Sequence, residues 1–165
     1  MEGQQMQAQD YQNLVADIEK MPYIVQALLS GLTEGDLRES PEDETWSIVE
    51  HICHLRDIER EGYKIRISKM LTEDNPFLND LDGDKLAEER QYINQNCKAA
   101  LKDFIETRAI NVHAIRELDP HQLSRTAVFE NVGPLNLLEL LLKMREHDQG
   151  HIDELTELRS KFSAG

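Results

Sequence analysis

His147 and His151 stand four positions apart in the run His147-Asp148-Gln149-Gly150-His151, a spacing that sends both imidazoles from one face of a helix. Two rings so placed can converge on a single divalent cation. The apolar stripe around them passes through Leu137, Leu141, Met144, then His147 or Asp148, His151, Leu155 and Leu158, so the imidazoles are expected to face inward. Inside a core stripe they need hydrogen-bond partners or a metal, because an unsatisfied buried polar group costs about 1–3 kcal/mol. Spacing alone leaves both outcomes open.

A third imidazole from a facing helix would complete a three-histidine site with a position left for water or substrate. His51 and His54 are the candidates, and periodicity does not choose between them. His51 lies nearer the Ile48, Ile52 and Leu55 face but can stack on Trp46, while His54 sits beside Ile58 and Ile65. His113 and His121 read as solvated. No histidine has Glu three residues before it, so the paired E-x-x-H pattern of di-iron bundles is missing, and Asp148 replaces the Glu of the zinc-protease motif H-E-x-x-H. Asp148, Glu50 and Asp57 are candidate supporting carboxylates, although Glu50 already has a helix-capping explanation. Cys53 and Cys97 form no C-x-x-C pair and read as reduced core thiols; a catalytic thiol at Cys53, beside His54, is the alternative.

Four helical segments must position these groups. The first runs from Ala8 to Gly31, with Pro22 marking either a kink or a fresh start. A polar connector with Ser40, Pro41 and Asp43 leads to the second, which opens on Ser47 and Glu50 in the S-x-x-E arrangement and runs through Ile52, Leu55, Ile58, Ile65 and Ile67 to about Leu71. A loop carrying Asn75, Pro76, Asp80, Asp82 and Gly83 follows. The third, from Lys85 to Leu118, aligns Ile93, Cys97, Leu101, Phe104, Arg108, Val112 and Ile115, and is long enough to contain a break. After Gly133 and Pro134, the fourth opens on Asn136 with Glu139, flanked by Leu135 and Leu140 as a hydrophobic staple, and runs to about Lys161. The expected fold is all-α, a four-helix bundle with long inter-helix connections, in one domain over residues 1–165.

Thirty-two acidic against eighteen basic residues give a net charge of −14, which repels phosphate backbones and anionic lipid heads. Neither nucleic acid nor a membrane is therefore expected as a partner. No apolar run reaches the length of a membrane span, and Met1 to Asp10 has neither a basic nor an apolar leader segment, so a cytoplasmic protein is expected.

Trp46-Ser47, followed eight residues after the Trp by His54-Leu55, and His147-Asp148-x-x-His151 together resemble the DinB-like superfamily of metalloenzymes. The likeness covers most of the chain and extends to Gly31-Leu32, Asn75-Pro76, Arg108 and the stretch from Gly133 to Leu140. In that family the helix-two ligand precedes a Leu, so the resemblance implies His54, His147 and His151 as metal ligands and does not require His51. It implies a four-helix bundle holding Zn or Ni; three imidazoles would also suit Fe or Cu. It further implies a small-molecule substrate, with transfer of a low-molecular-weight thiol to an electrophile as one reaction and hydrolysis as another, and it implies a homodimer. The rival from another class is a non-enzymatic bundle, or homodimeric binding module, in which the metal only ties helix two to helix four.

Overall fold

The computed structural model describes residues 7–42 and 45–162; Met1 to Met6 of the polar start and Asp43 of the first connector lie outside the described residues. Helix α1 (Ala8–Leu29) buries Leu14, Ile18, Met21 and Val25 along one stripe, and its helical run includes Pro22 without a break. Gly31, at φ 80°, takes the left-handed conformation that ends a helix without steric cost. A short α2 (Glu34–Arg38) leads to α3 (Ile48–Asp57), whose start is fixed as the sequence suggests: the Ser47 hydroxyl accepts from the Glu50 N–H, and the Glu50 carboxylate accepts from the Ser47 N–H at 3.0 Å.

The second arm departs from a plain α-helix. A π-helical turn (Ile58–Tyr63) joins α3 to α4 (Lys64–Thr72), and the Lys64 N–H reaches back to the Glu59 carbonyl. The wider turn shifts the register of everything after it. Ile65, expected on the core stripe, is consequently 50% exposed, whereas Arg66 and Ile67 turn inward.

The third pattern is also divided. It begins as α5 (Gly83–Glu89), passes a left-handed Gln91 and a 3-10 turn (Tyr92–Asn94), and restarts as α6 (Cys97–Ile115). The Asn96 side chain accepts from the Ala99 N–H at 2.9 Å, a cap that supplies α6 with its own beginning. After α7 (Pro120–Leu123), the last helix α8 (Leu137–Ser160) starts at an Asn136–Glu139 capping box, with Leu135 and Leu140 both buried in one cluster.

The connections hold a small sheet that an all-helical reading omits. Strands β1 (Phe77–Leu78), β2 (Thr126–Phe129) and β3 (Gly133–Asn136) lie in that order, β1 parallel to β2 and β2 antiparallel to β3 with Ala127 opposite Leu135. Gly133 and Pro134, read from sequence as the approach to the last helix, belong to β3. Two- and four-residue strands are too short to show a period-2 pattern, and buried Ala127 and Leu135, with Phe129 packed beside them, anchor this hairpin in the core.

In the bundle α1 packs on α6 and α8, and α3 packs on α6 and α8. The core is two apolar clusters. One contains Leu14, Ile18, Ile58, Val112 and Met144; the other contains Met21, Val25, Leu55, Phe104 and Leu155. On α6 and α8 the inward-facing residues between the two clusters are polar, among them Arg108 and Asn111 on α6, and His147, Asp148 and His151 on α8. A polar layer therefore crosses the waist of the molecule, and it contains both an ion cluster and the histidines.

Candidate metal centre

Helix α8 distributes its three polar waist residues over two faces. Asp148 takes the deepest position, 3% exposed, and its two oxygens accept from Arg108 at 2.8 and 2.9 Å. Arg108 also donates from Nε and Nη2 to Glu59 at 2.8 Å each, while Asn111 donates to the same carboxylate. The adjacent faces send His147 and His151, both half-buried, toward α3.

There they meet His54. Its Nε2 lies 3.3 Å from His147 Nε2, and His147 Nε2 lies 3.2 Å from His151 Nε2. All three ring nitrogens fall within 4.8 Å of one another. Ligand atoms held about 2.0–2.1 Å from a tetrahedral ion stand roughly 3.3 Å apart, so two edges of this triangle already have the spacing that such an ion imposes. The buried Nδ1 of His147 has no hydrogen-bond partner, so no hydrogen bond from outside the cluster fixes that ring, which packs edge-on against Tyr63. The residues present thus fit a divalent cation.

Electrostatics favours the same chemistry. Burial, then the charges that His147 and His51 would carry, lower the His54 pKa to about 3. Burial and then His151, Arg108 and Arg66 lower His147 to about 3, and burial and then His54 and His51 lower His151 to about 3. Burial lowers His51 to about 4. All four rings are therefore neutral near pH 7, the form in which imidazole binds a metal.

The structure brings together His54, His147 and His151, and it places His51 beside them as well. His51 is 3% exposed; its Nδ1 lies 3.0 Å from His151 Nδ1 and its Nε2 lies 3.3 Å from a Glu154 oxygen. Trp46 packs against both α3 histidines, with ring centroids 5.4 Å from His51 and 4.9 Å from His54. His113 and His121 are exposed and remote from this cluster.

The carboxylates proposed from sequence serve elsewhere. Asp148 is held by Arg108, Glu50 caps α3, and Asp57 accepts from Arg56, Arg60, Arg90 and Tyr92. The carboxylate that does reach the histidines is Glu154, which the sequence reading missed. Its position three residues after His151 puts it on the same helix face, and that spacing could have flagged it. Cys53 faces away, toward the Tyr92 carbonyl and Gln95, and burial raises its thiol to about 11 while Cys97 rises to about 12. Both are protonated core thiols, and the catalytic alternative for Cys53 falls away.

A cavity of about 470 Å³ opens beside the centre and touches His51, His54 and His151. Trp46 forms part of its wall. Glu42, Asp84, Glu154 and Glu157 ring it, with Lys161 as a lone cation among the lining residues.

Three inward imidazoles between two arms of a helical bundle form a candidate site for a metal ion. The sequence pattern of the DinB superfamily matches residues 17–155, and the chain belongs to that superfamily. A relative from Halalkalibacterium halodurans, 22% identical over 154 residues that span 93% of this chain and 88% of the relative, bears the name "Putative metal-dependent hydrolase". One from Oceanobacillus iheyensis bears the same description and is 23% identical over 145 residues, 87% of this chain and 83% of its own. The fold is that of YfiT from Bacillus subtilis, described as a probable metal-dependent hydrolase with an unusual four-helix bundle topology; the TM-score is 0.89 at 19% identity, covering 100% of this chain and 94% of that one. The metal-dependent relatives and the histidine cluster together support a divalent metal. Among the described residues no helix is long and apolar enough to cross a membrane.

Proposed function

We propose that this protein is a metal-dependent hydrolase of a small molecule, with His54, His147 and His151 as the ligands of one divalent cation, Zn or Ni. The observation that supports it is the convergence of three Nε2 atoms, at 3.2 and 3.3 Å along two edges, beside an open cavity. A cation bound there supplies Lewis acidity and lowers the pKa of a water molecule toward neutrality. The chain's own residues do the rest. His54 and His151 carry the site to the cavity floor, Trp46 offers an aromatic wall for the substrate, and the carboxylates at the mouth disfavour strongly anionic molecules. Transfer of a low-molecular-weight thiol would use the same centre, and the assay below separates it from hydrolysis.

The test combines metal analysis of protein made without a His tag with turnover of small esters and amides, run with and without a thiol cosubstrate. Expected are one ion per chain, hydrolysis without thiol, and loss of turnover in His151→Ala. Turnover that persists in that variant would overturn the reading. Product that forms only with thiol would replace hydrolysis by transfer, and a bound ion with no turnover in either assay would leave only a structural tie between α3 and α8.

A further inference from the structure

His51 is buried beside the three ligands without belonging to their triangle, and both of its ring nitrogens are matched. Nδ1 faces His151 Nδ1 at 3.0 Å, and Nε2 faces Glu154 at 3.3 Å. The chemistry of these partners permits one consistent reading. An ionised carboxylate oxygen 3.3 Å away repels a lone pair and attracts an N–H, so the proton of a neutral His51 is favoured on Nε2. Its Nδ1 is then an acceptor, and the facing Nδ1 of His151 must be the donor. His151 is left with an unprotonated Nε2, the atom that points at His147 Nε2 from 3.2 Å. A carboxylate at the cavity rim thereby biases, through its charge 3.3 Å from His51 Nε2 and the one hydrogen bond between the two Nδ1 atoms, which nitrogen of His151 carries the lone pair. His147, whose Nδ1 is orphaned, has no such device.

We infer that His51 and Glu154 are positioning residues that lock His151 in the tautomer presenting Nε2 to the cation. The inference rests on the metal-site reading above. Partners of this kind fix ring orientation and raise ligand basicity, and their loss typically weakens binding about 10–100-fold. An alternative arrangement exists in the same atoms, because His51, His151 and Glu154 themselves lie close enough to hold an ion.

Two readouts test the lock. The first is nitrogen NMR of His151 in the metal-free protein, where the shifts of Nδ1 and Nε2 distinguish the tautomers whether or not any metal ever binds. The second is zinc affinity and stoichiometry by chelator competition. The parent should show a single His151 tautomer with the proton on Nδ1. Glu154→Leu, a change at a largely exposed side chain that leaves folding intact, should give mixed tautomers and about 10-fold weaker zinc binding. His51→Leu should weaken binding by about 10–100-fold. His51→Asn, whose amide oxygen can occupy the place of Nδ1 and accept from His151, should recover most of that loss, whereas a merely structural role would not distinguish Asn from Leu. Stoichiometry stays at one ion in every variant. An unaltered tautomer in Glu154→Leu, unchanged zinc affinity in His51→Leu, or loss of a second equivalent of zinc would overturn the inference. Failure of the parent to bind zinc, with the tautomer lock intact, would instead count against the proposed function.

Discussion

Arg108 donates from Nη1 to the Ile18 carbonyl at 2.9 Å, and this is the carbonyl that Pro22, four residues on, leaves without its helical N–H. Proline in a helix interior ordinarily breaks the ladder or kinks the chain. Here the orphaned acceptor is satisfied from a neighbouring helix, so α1 runs on through Pro22 to Leu29. The same guanidinium holds Glu59 on the π-helical turn and Asp148 on α8, so one residue of α6 ties all the other arms of the bundle at its waist. Because Asp148 lies between His147 and His151 in sequence, this cluster also sets the rotation of α8 that turns the two imidazoles toward α3.

Arg108→Met should therefore do more than remove a contact. It leaves Glu59 and Asp148, which are 0% and 3% exposed, without their cation, and breaking a buried ion pair from one side costs about 3–5 kcal/mol. Urea unfolding should show a loss of that order. Arg108→Lys should recover only part of it, because an ammonium cannot reproduce two bidentate forks together with the bond to Ile18. A loss below about 1 kcal/mol in Arg108→Met would contradict the role of the cluster.

Gly83 is a sterically tuned position. A methyl group there would stand 3.1 Å from Cε1 and Nδ1 of His54 and 3.2 Å from the Trp46 ring. Gly83→Ala should displace the His54 imidazole by a few tenths of an ångström and weaken zinc binding about 10-fold, with the melting temperature of the metal-free protein nearly unchanged. Competition titration against a chelator measures it; parent-like affinity would show that the ring does not need this space.

Metal removal should lower stability by mass action. Free ion at 100 times its dissociation constant stabilises a folded protein by about 2.7 kcal/mol, so chelator treatment should reduce the melting temperature measurably. His147→Ala should melt at the same temperature with or without added zinc. A zinc-dependent shift that survives in this variant would place the ion elsewhere.

Acid should remove a contribution that Asp57 makes to the fold. Burial alone would raise this carboxyl, but hydrogen bonds from Arg56 and Tyr92, the Arg56 charge and the Arg90 hydrogen bond hold it down from 3.8 to about 2. The unfolded chain then takes up a proton before the folded one does. The stabilisation is full above pH 3.8 and is lost as pH falls from there toward 2, amounting to about 2 kcal/mol. Equilibrium unfolding across that window should be less steep in Asp57→Asn than in the parent; equal slopes would assign the acid sensitivity to other groups.

The sequence by itself determined what local spacing can encode. Ser47 with Glu50 and Asn136 with Glu139 mark the starts of α3 and α8, because a capping box is closed within four residues and needs no partner from afar. The i,i+4 pair His147 and His151 shares a face for the same reason, and the pattern around His54 and that pair marked the family. Tertiary structure decided the rest. The π-helical turn that exposes Ile65 and buries Glu59, the hairpin laid against β1, the capture of Asp148 by Arg108, and the contact of Glu154 with His51 all join residues on separate elements, or follow from such a junction. Periodicity says which way a side chain leaves its own helix; what it meets there depends on how closely distant segments approach, and only the packed bundle fixes that distance.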